Sequence, residues 1–66
     1  MSKLQDRRKD AGLSQSQLAA KVDGLSLRTL QHYEQGSMDI NKAAASTVRR
    51  LAEVLKCNIE DLLEAE

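Results

Sequence analysis

Residues 13–36 read LSQSQLAAKVDGLSLRTLQHYEQG, and this stretch decides the fold. Ser14 precedes Gln17 at the spacing of a capping box, in which hydroxyl and amide each satisfy a backbone group freed at a helix start. Ser26 is a second N-cap, directly before Leu27. Leu13 with Leu18, and Leu25 with Leu30, stand at the spacing of a hydrophobic staple. Gly24 and Gly36 each follow a periodic run and suit the left-handed conformation just past a helix end. The stretch therefore predicts two short helices, 14–22 and 26–35, joined by a tight turn through Asp23 and Gly24. Ala19 offers a small surface in the middle of the first, flanked by Leu18 and Val22, so the second helix can cross it closely. Leu30 and Tyr33 point the second helix back to the core. That leaves Leu27, Arg28, Gln31, His32 and Gln35 on its outer side.

The same punctuation continues outward. Ser2 with Gln5 fits another capping box, and Gly12 closes that helix. Asn58 caps a last helix whose first turn carries Glu60 and Asp61, with Cys57 and Leu62 as its staple. Between them Val48, Leu51, Ala52 and Leu55 form an apolar stripe at helical spacing. Asp39, Asn41 or Ser46 can cap that helix. The expectation is an all-α domain over residues 1–66, with five helices near 2–11, 14–22, 26–35, 42–56 and 58–64.

Composition supports this. The 66 residues contain no proline and one aromatic, Tyr33. Leu, Ala and Val dominate the apolar set, which favours helices over sheet. The single Cys57 excludes an internal disulfide framework, and no apolar run is long enough to span a membrane. A cytoplasmic protein is the expectation. Formal net charge is zero, but it is polarised. Lys3, Arg7, Arg8, Lys9, Lys21 and Arg28 outnumber the acids up to Gly36, whereas Glu60, Asp61, Glu64 and Glu66 crowd the end. Such a chain can offer phosphate a positive face and turn its acidic end away.

Two crossed helices with polar side chains on the outer side of the second make a helix-turn-helix, whose second helix enters the DNA major groove N-terminus first. Arginine can donate twice to guanine and glutamine can pair with adenine, which makes Arg28 and Gln31 candidate readers. Ser14, Gln15 and Ser26 stand near helix N-termini, where phosphates are commonly held.

Residues Leu13-Ser-Gln15, Leu18-Ala19, Gly24-Leu25-Ser26, Thr29-Leu30, Tyr33-Glu34-Gln35-Gly36, Leu51-Ala52-Glu53-Val54-Leu55 and Ile59-Glu60-Asp61-Leu62-Leu63 together resemble the Cro/C1-type (XRE) helix-turn-helix regulators of bacteria and phages. The resemblance runs from about Leu4 to Leu63 and implies a compact, λ-repressor-like five-helix domain. It implies base contacts from Leu27, Arg28, Gln31 and His32, and phosphate contacts from Gln15 and Gln35. Two departures stand out. Asp23 is an insertion in the family's usual turn, and the segment from Ser37 to Ala45 is longer than the common pattern and lacks its proline.

The function so implied is a sequence-specific DNA-binding transcriptional regulator. Double-stranded DNA is its partner, bound by a homodimer on an inverted repeat. Ile40, Val54, Ile59 and Leu63 are candidates for the dimer surface. The rival is a protein-interaction module, such as an antitoxin or a regulatory subunit, which the zero net charge and acidic end would suit. An enzyme is the poorest reading. The sequence offers no carboxylate dyad, metal cluster, phosphate loop or activated nucleophile, and no cofactor is implied. Cys57 reads as a small staple residue and Tyr33 as core packing. Glu34 can cap backbone or pair with an arginine. Arg7 and Arg8 suit either phosphate contact or a solvated outer face.

Overall fold

Ser2, Ser14 and Ser26 each sit in extended backbone, with φ of −92°, −77° and −85°. Their hydroxyls accept the N–H groups of Gln5, Gln17 and Thr29 at 3.0, 3.1 and 3.1 Å. In a computed structural model describing residues 2–64, these caps open α1 (Lys3–Asp10), α2 (Gln15–Lys21) and α3 (Leu27–Gln35). The box is reciprocal at Ser14, whose own N–H donates to the Gln17 amide oxygen at 2.8 Å. The fourth α-helix, α4 (Ala45–Leu55), carries the expected stripe of Val48, Leu51, Ala52 and Leu55, all buried.

The described residues contain four α-helices rather than five, and no strand. The expected helix at 58–64 is a single 3-10 turn, Ile59–Asp61. At its start the Asn58 side chain makes no cap hydrogen bond; the Asn58 backbone N–H instead donates to the Asp61 carboxylate at 3.0 Å. It does not propagate, because the chain is pinned almost at once. Leu62 is fully buried, and Glu64 exchanges two 2.9 Å hydrogen bonds with the side chain of Asn41. The Glu64 carboxylate also accepts the Lys3 N–H at 2.8 Å. A segment this short cannot recover the cost of nucleating an α-helix and settles into one tight turn.

The same clasp explains why α4 begins three residues later than expected. Asp39 caps a separate 3-10 turn, Ile40–Lys42, accepting the Asn41 N–H at 2.9 Å. Asn41 is committed to Glu64. The N-cap of α4 is Ala44, with no side-chain partner, so none of the three anticipated residues caps it.

Leu4, Leu18, Leu30, Leu51 and Leu62 are the largest fully buried side chains. Each α-helix contributes one and the C-terminal turn supplies the fifth. Each such leucine stabilises by about 2 kcal/mol through transfer from water. Val22, Leu25 and Ile40 close the gaps. Ala19 packs at the edge of this core, and α2 and α3 lie in contact.

Three of the four α-helices end in a left-handed residue; α2 instead ends at extended Val22 (φ −119°), so Gly24 serves the turn that follows and not the helix end. At Gly36 (φ 84°) the Ser37 N–H returns to the His32 carbonyl at 3.0 Å, a Schellman ending. α4 ends the same way, with the Cys57 N–H on the Ala52 carbonyl at 3.0 Å, but the left-handed residue is Lys56 (φ 56°). Asp23 and Gly24 are the central residues of a four-residue turn between α2 and α3. It is closed by the Leu25 N–H on the Val22 carbonyl at 3.2 Å, with Gly24 at φ 81°. Positive φ at the third residue is the requirement of a type II turn. The Asp23 carbonyl also accepts a long 3.4 Å contact from the Arg50 guanidinium of α4.

Candidate nucleic-acid interface

The first turn of α3 projects Leu27 and Arg28 into solvent, Leu27 at 39% exposure despite being apolar. One turn further along the same face stands Gln31, half-buried, followed by exposed Gln35. His32 is half-buried, with Nδ1 turned inward and unpartnered among the described residues. Any ligand would therefore meet the Nε2 edge of the ring. Ser14 and Ser26 are exposed, and both hydroxyls are engaged as caps. Ser26 also donates to the Thr29 hydroxyl at 2.9 Å.

Behind this face lies a polar network that crosses three helices. The Arg8 guanidinium of α1 grips the Glu34 carboxylate of α3 at two points, Nε to Oε2 at 2.8 Å and NH2 to Oε1 at 3.1 Å. Its NH1 donates to the Leu13 carbonyl at 2.7 Å, which fixes the α1–α2 connection. Both residues are buried, at 8% and 7% exposure. Burial of both charges is tolerated because the pairing is two-pronged and a third donor is satisfied. The Gln15 amide of α2 then donates to Glu34 Oε1 at 3.2 Å, and its oxygen receives the Gln31 amide at 3.4 Å.

The structure thus brings Gln15 and Gln31 together and roots both in the Arg8–Glu34 pair. It leaves Leu27, Arg28 and Gln35 open at the surface. Arg8 is neither a phosphate contact nor a solvated outer residue, the two uses the sequence suggested for it; it is interior. The signal that finds it is spacing. Arg8 stands one turn beyond Leu4, and Glu34 one turn beyond Leu30, so each charge continues a core stripe. Opposite charges on two inward stripes need each other.

Elsewhere, Arg7 and Asp61 form a 3.5 Å pair that is well exposed on the arginine side and contributes little. Cys57 is half-buried, and burial raises its thiol pKa, partly countered by the Arg7 charge and reinforced by Asp61. Among the described residues no group of three or more His, Cys, Asp or Glu is placed to hold a metal ion, and no helix is long and apolar enough to cross a membrane. A shallow apolar groove of about 200 Å³ runs between Ile40, Ala43, Ala45, Val48, Ile59 and Leu63, with no residue from α3.

Comparison with known families finds a match to the helix-turn-helix family over residues 4–62. Neither the curated proteins nor the solved structures yielded a match.

Proposed function

The chain belongs to the Cro/C1-type helix-turn-helix family, a family of non-catalytic DNA-binding regulators, and from that premise we propose that it is a sequence-specific transcriptional regulator that reads the major groove with α3. The observation that carries this reading is the first turn of α3. Leu27 and Arg28 stand free there, while the inward Leu30 and Glu34 behind them are locked by packing and by hydrogen bonds. A side chain that must meet a base edge needs a rigid support and an open front.

Arg28 donates to guanine, Leu27 packs on a thymine methyl group, and Gln31 and the Nε2 edge of His32 extend the contact along the groove. Gln35 reaches phosphate, as do the exposed N-termini at Ser14 and Ser26. A single module buries only about 600–1,000 Å² on DNA. Tight specific binding therefore takes two copies, on half-sites about 34–36 Å apart. For the second copy, Ile59 and Leu63 are half-buried and line the apolar groove on a face α3 does not share. Val54 is half-buried elsewhere on the core's edge. Ile40 is 3% exposed and so leaves the set of surface candidates.

The test is fluorescence anisotropy on duplexes selected from a random pool, over a range of salt. Binding that weakens with salt, on a palindromic motif, is expected. No binding above background at low salt ends this reading. A partner protein co-purifying on the Ile59–Leu63 face, with no DNA bound, would favour the interaction-module alternative.

A further inference from the structure

The hydrogen-bonded chain Glu34–Gln15–Gln31 has a direction, and the direction fixes what Gln31 can offer. A carboxylate held by a guanidinium is ionised and has only acceptors. Gln15 must therefore turn its NH2 to Glu34, which it meets at 3.2 Å. Its carbonyl oxygen then faces Gln31, and Gln31 must spend one of its two N–H donors on it, at 3.4 Å. Gln31 keeps one N–H and its carbonyl oxygen.

That remainder matches one base. The major-groove edge of adenine presents the N7 acceptor beside the N6 amino donor, which one amide N–H and one carbonyl oxygen satisfy together. Guanine presents two acceptors, N7 and O6. A free glutamine could turn its NH2 toward both. Gln31 has only one hydrogen left, and its oxygen would face O6. We propose that Gln31 reads adenine, and that Gln15 is a positioning residue which imposes the choice of adenine over guanine rather than a phosphate contact. The inference rests on the DNA-binding reading above. It adds a mechanism in which the buried Arg8–Glu34 pair, through two amides, sets base preference at the surface.

The test starts from motifs selected from a random pool by the wild type and by Gln31→Ala. The position at which the variant loses preference is the one Gln31 reads. The wild type is expected to lose affinity about tenfold or more when adenine there becomes guanine, or 7-deazaadenine, which lacks the N7 acceptor. Gln31→Ala should be indifferent to both changes. Gln15→Leu should still bind the selected duplex, yet its adenine-to-guanine ratio should fall toward one, and adding Gln31→Ala should lower it no further. Circular dichroism checks that each variant folds. If Gln15→Leu does not, Gln15→Ala removes the same two hydrogen bonds and carries the same readout.

An equal loss on every duplex for Gln15→Leu, with the adenine preference intact, would return Gln15 to phosphate and overturn the inference while leaving DNA binding in place. So would a selected motif with no adenine sensitive to Gln31. A wild type that shows no salt-dependent binding to any duplex removes the functional reading itself.

Discussion

The guanidinium of Arg8 and the carboxylate of Glu34, 26 residues apart, meet in a two-pronged pair at 2.8 and 3.1 Å where α1, α2 and α3 converge. Removing one partner strands a buried charge, at a cost of about 3–5 kcal/mol. A domain of this length has a total stability of only a few kcal/mol, roughly 0.05–0.15 per residue. Arg8→Met should therefore shift urea unfolding close to complete at low denaturant. Arg8→Met with Glu34→Leu should recover much of the loss, since no charge remains to be solvated. Equal destabilisation of single and double variants would mean the pair's geometry, not its charge, is what matters.

Lys56 occupies the left-handed position that glycine fills at Gly36. An L side chain there costs about 1–2 kcal/mol. Lys56→Gly should raise stability by about 1 kcal/mol, a rise of roughly 4–8 °C in thermal midpoint for a domain of this size. Gly36→Ala should do the reverse. An added Cβ at Gly36 meets nothing within 4 Å, so that loss would come from backbone conformation alone.

Arg28→Ala should weaken the preferred duplex by about 1–3 kcal/mol and leave non-specific binding nearly unchanged. Anisotropy titrations on the selected motif and on a scrambled duplex separate the two. Equal losses on both would assign Arg28 to phosphate.

Cys57 is expected to be a slow thiol. Burial disfavours the thiolate and outweighs the help of the Arg7 charge, so the folded pKa lies above the ordinary value. Alkylation by iodoacetamide should be slower in the folded protein than in urea, and the gap should narrow as pH rises. The linkage has a definite sign. The stability held by the protonated thiol is complete below the ordinary thiol pKa and is lost as pH climbs through the raised one. Asp61→Asn removes a contribution that raises the pKa and should speed alkylation. An unchanged rate would show that the Asp61 charge does not reach the thiol.

Much of this fold was legible because its helix starts are written in local chemistry. The capping serines at 2, 14 and 26 and the staples Leu13–Leu18 and Leu25–Leu30 lie within a few residues of one another, and each fixes a boundary without tertiary help. What was illegible depends on partners far apart in the chain. Asn41 looked like a helix cap and is instead the anchor for Glu64, 23 residues away. Asn58, Glu60 and Asp61 read as a helix start, but the Asn58 side chain makes no cap hydrogen bond and the anchor ends the turn before a helix can grow. At the site, the outward set Leu27, Arg28 and Gln35 followed from periodicity. The inward engagement of Gln15 did not, because its partners Glu34 and Gln31 sit on another helix.

The clasp between Asn41, Glu64 and Lys3 also has a topological consequence. The Lys3 N–H lies 2.8 Å from the Glu64 carboxylate, so both ends of the described chain meet at one spot. A linker of a few residues, spanning about 3.3–3.6 Å each, is enough to join them. The chain is therefore a natural substrate for circular permutation. New termini opened in the exposed Ser37–Asp39 segment would leave α1, α2 and α3 continuous and turn the clasp from a set of hydrogen bonds into a covalent crossing.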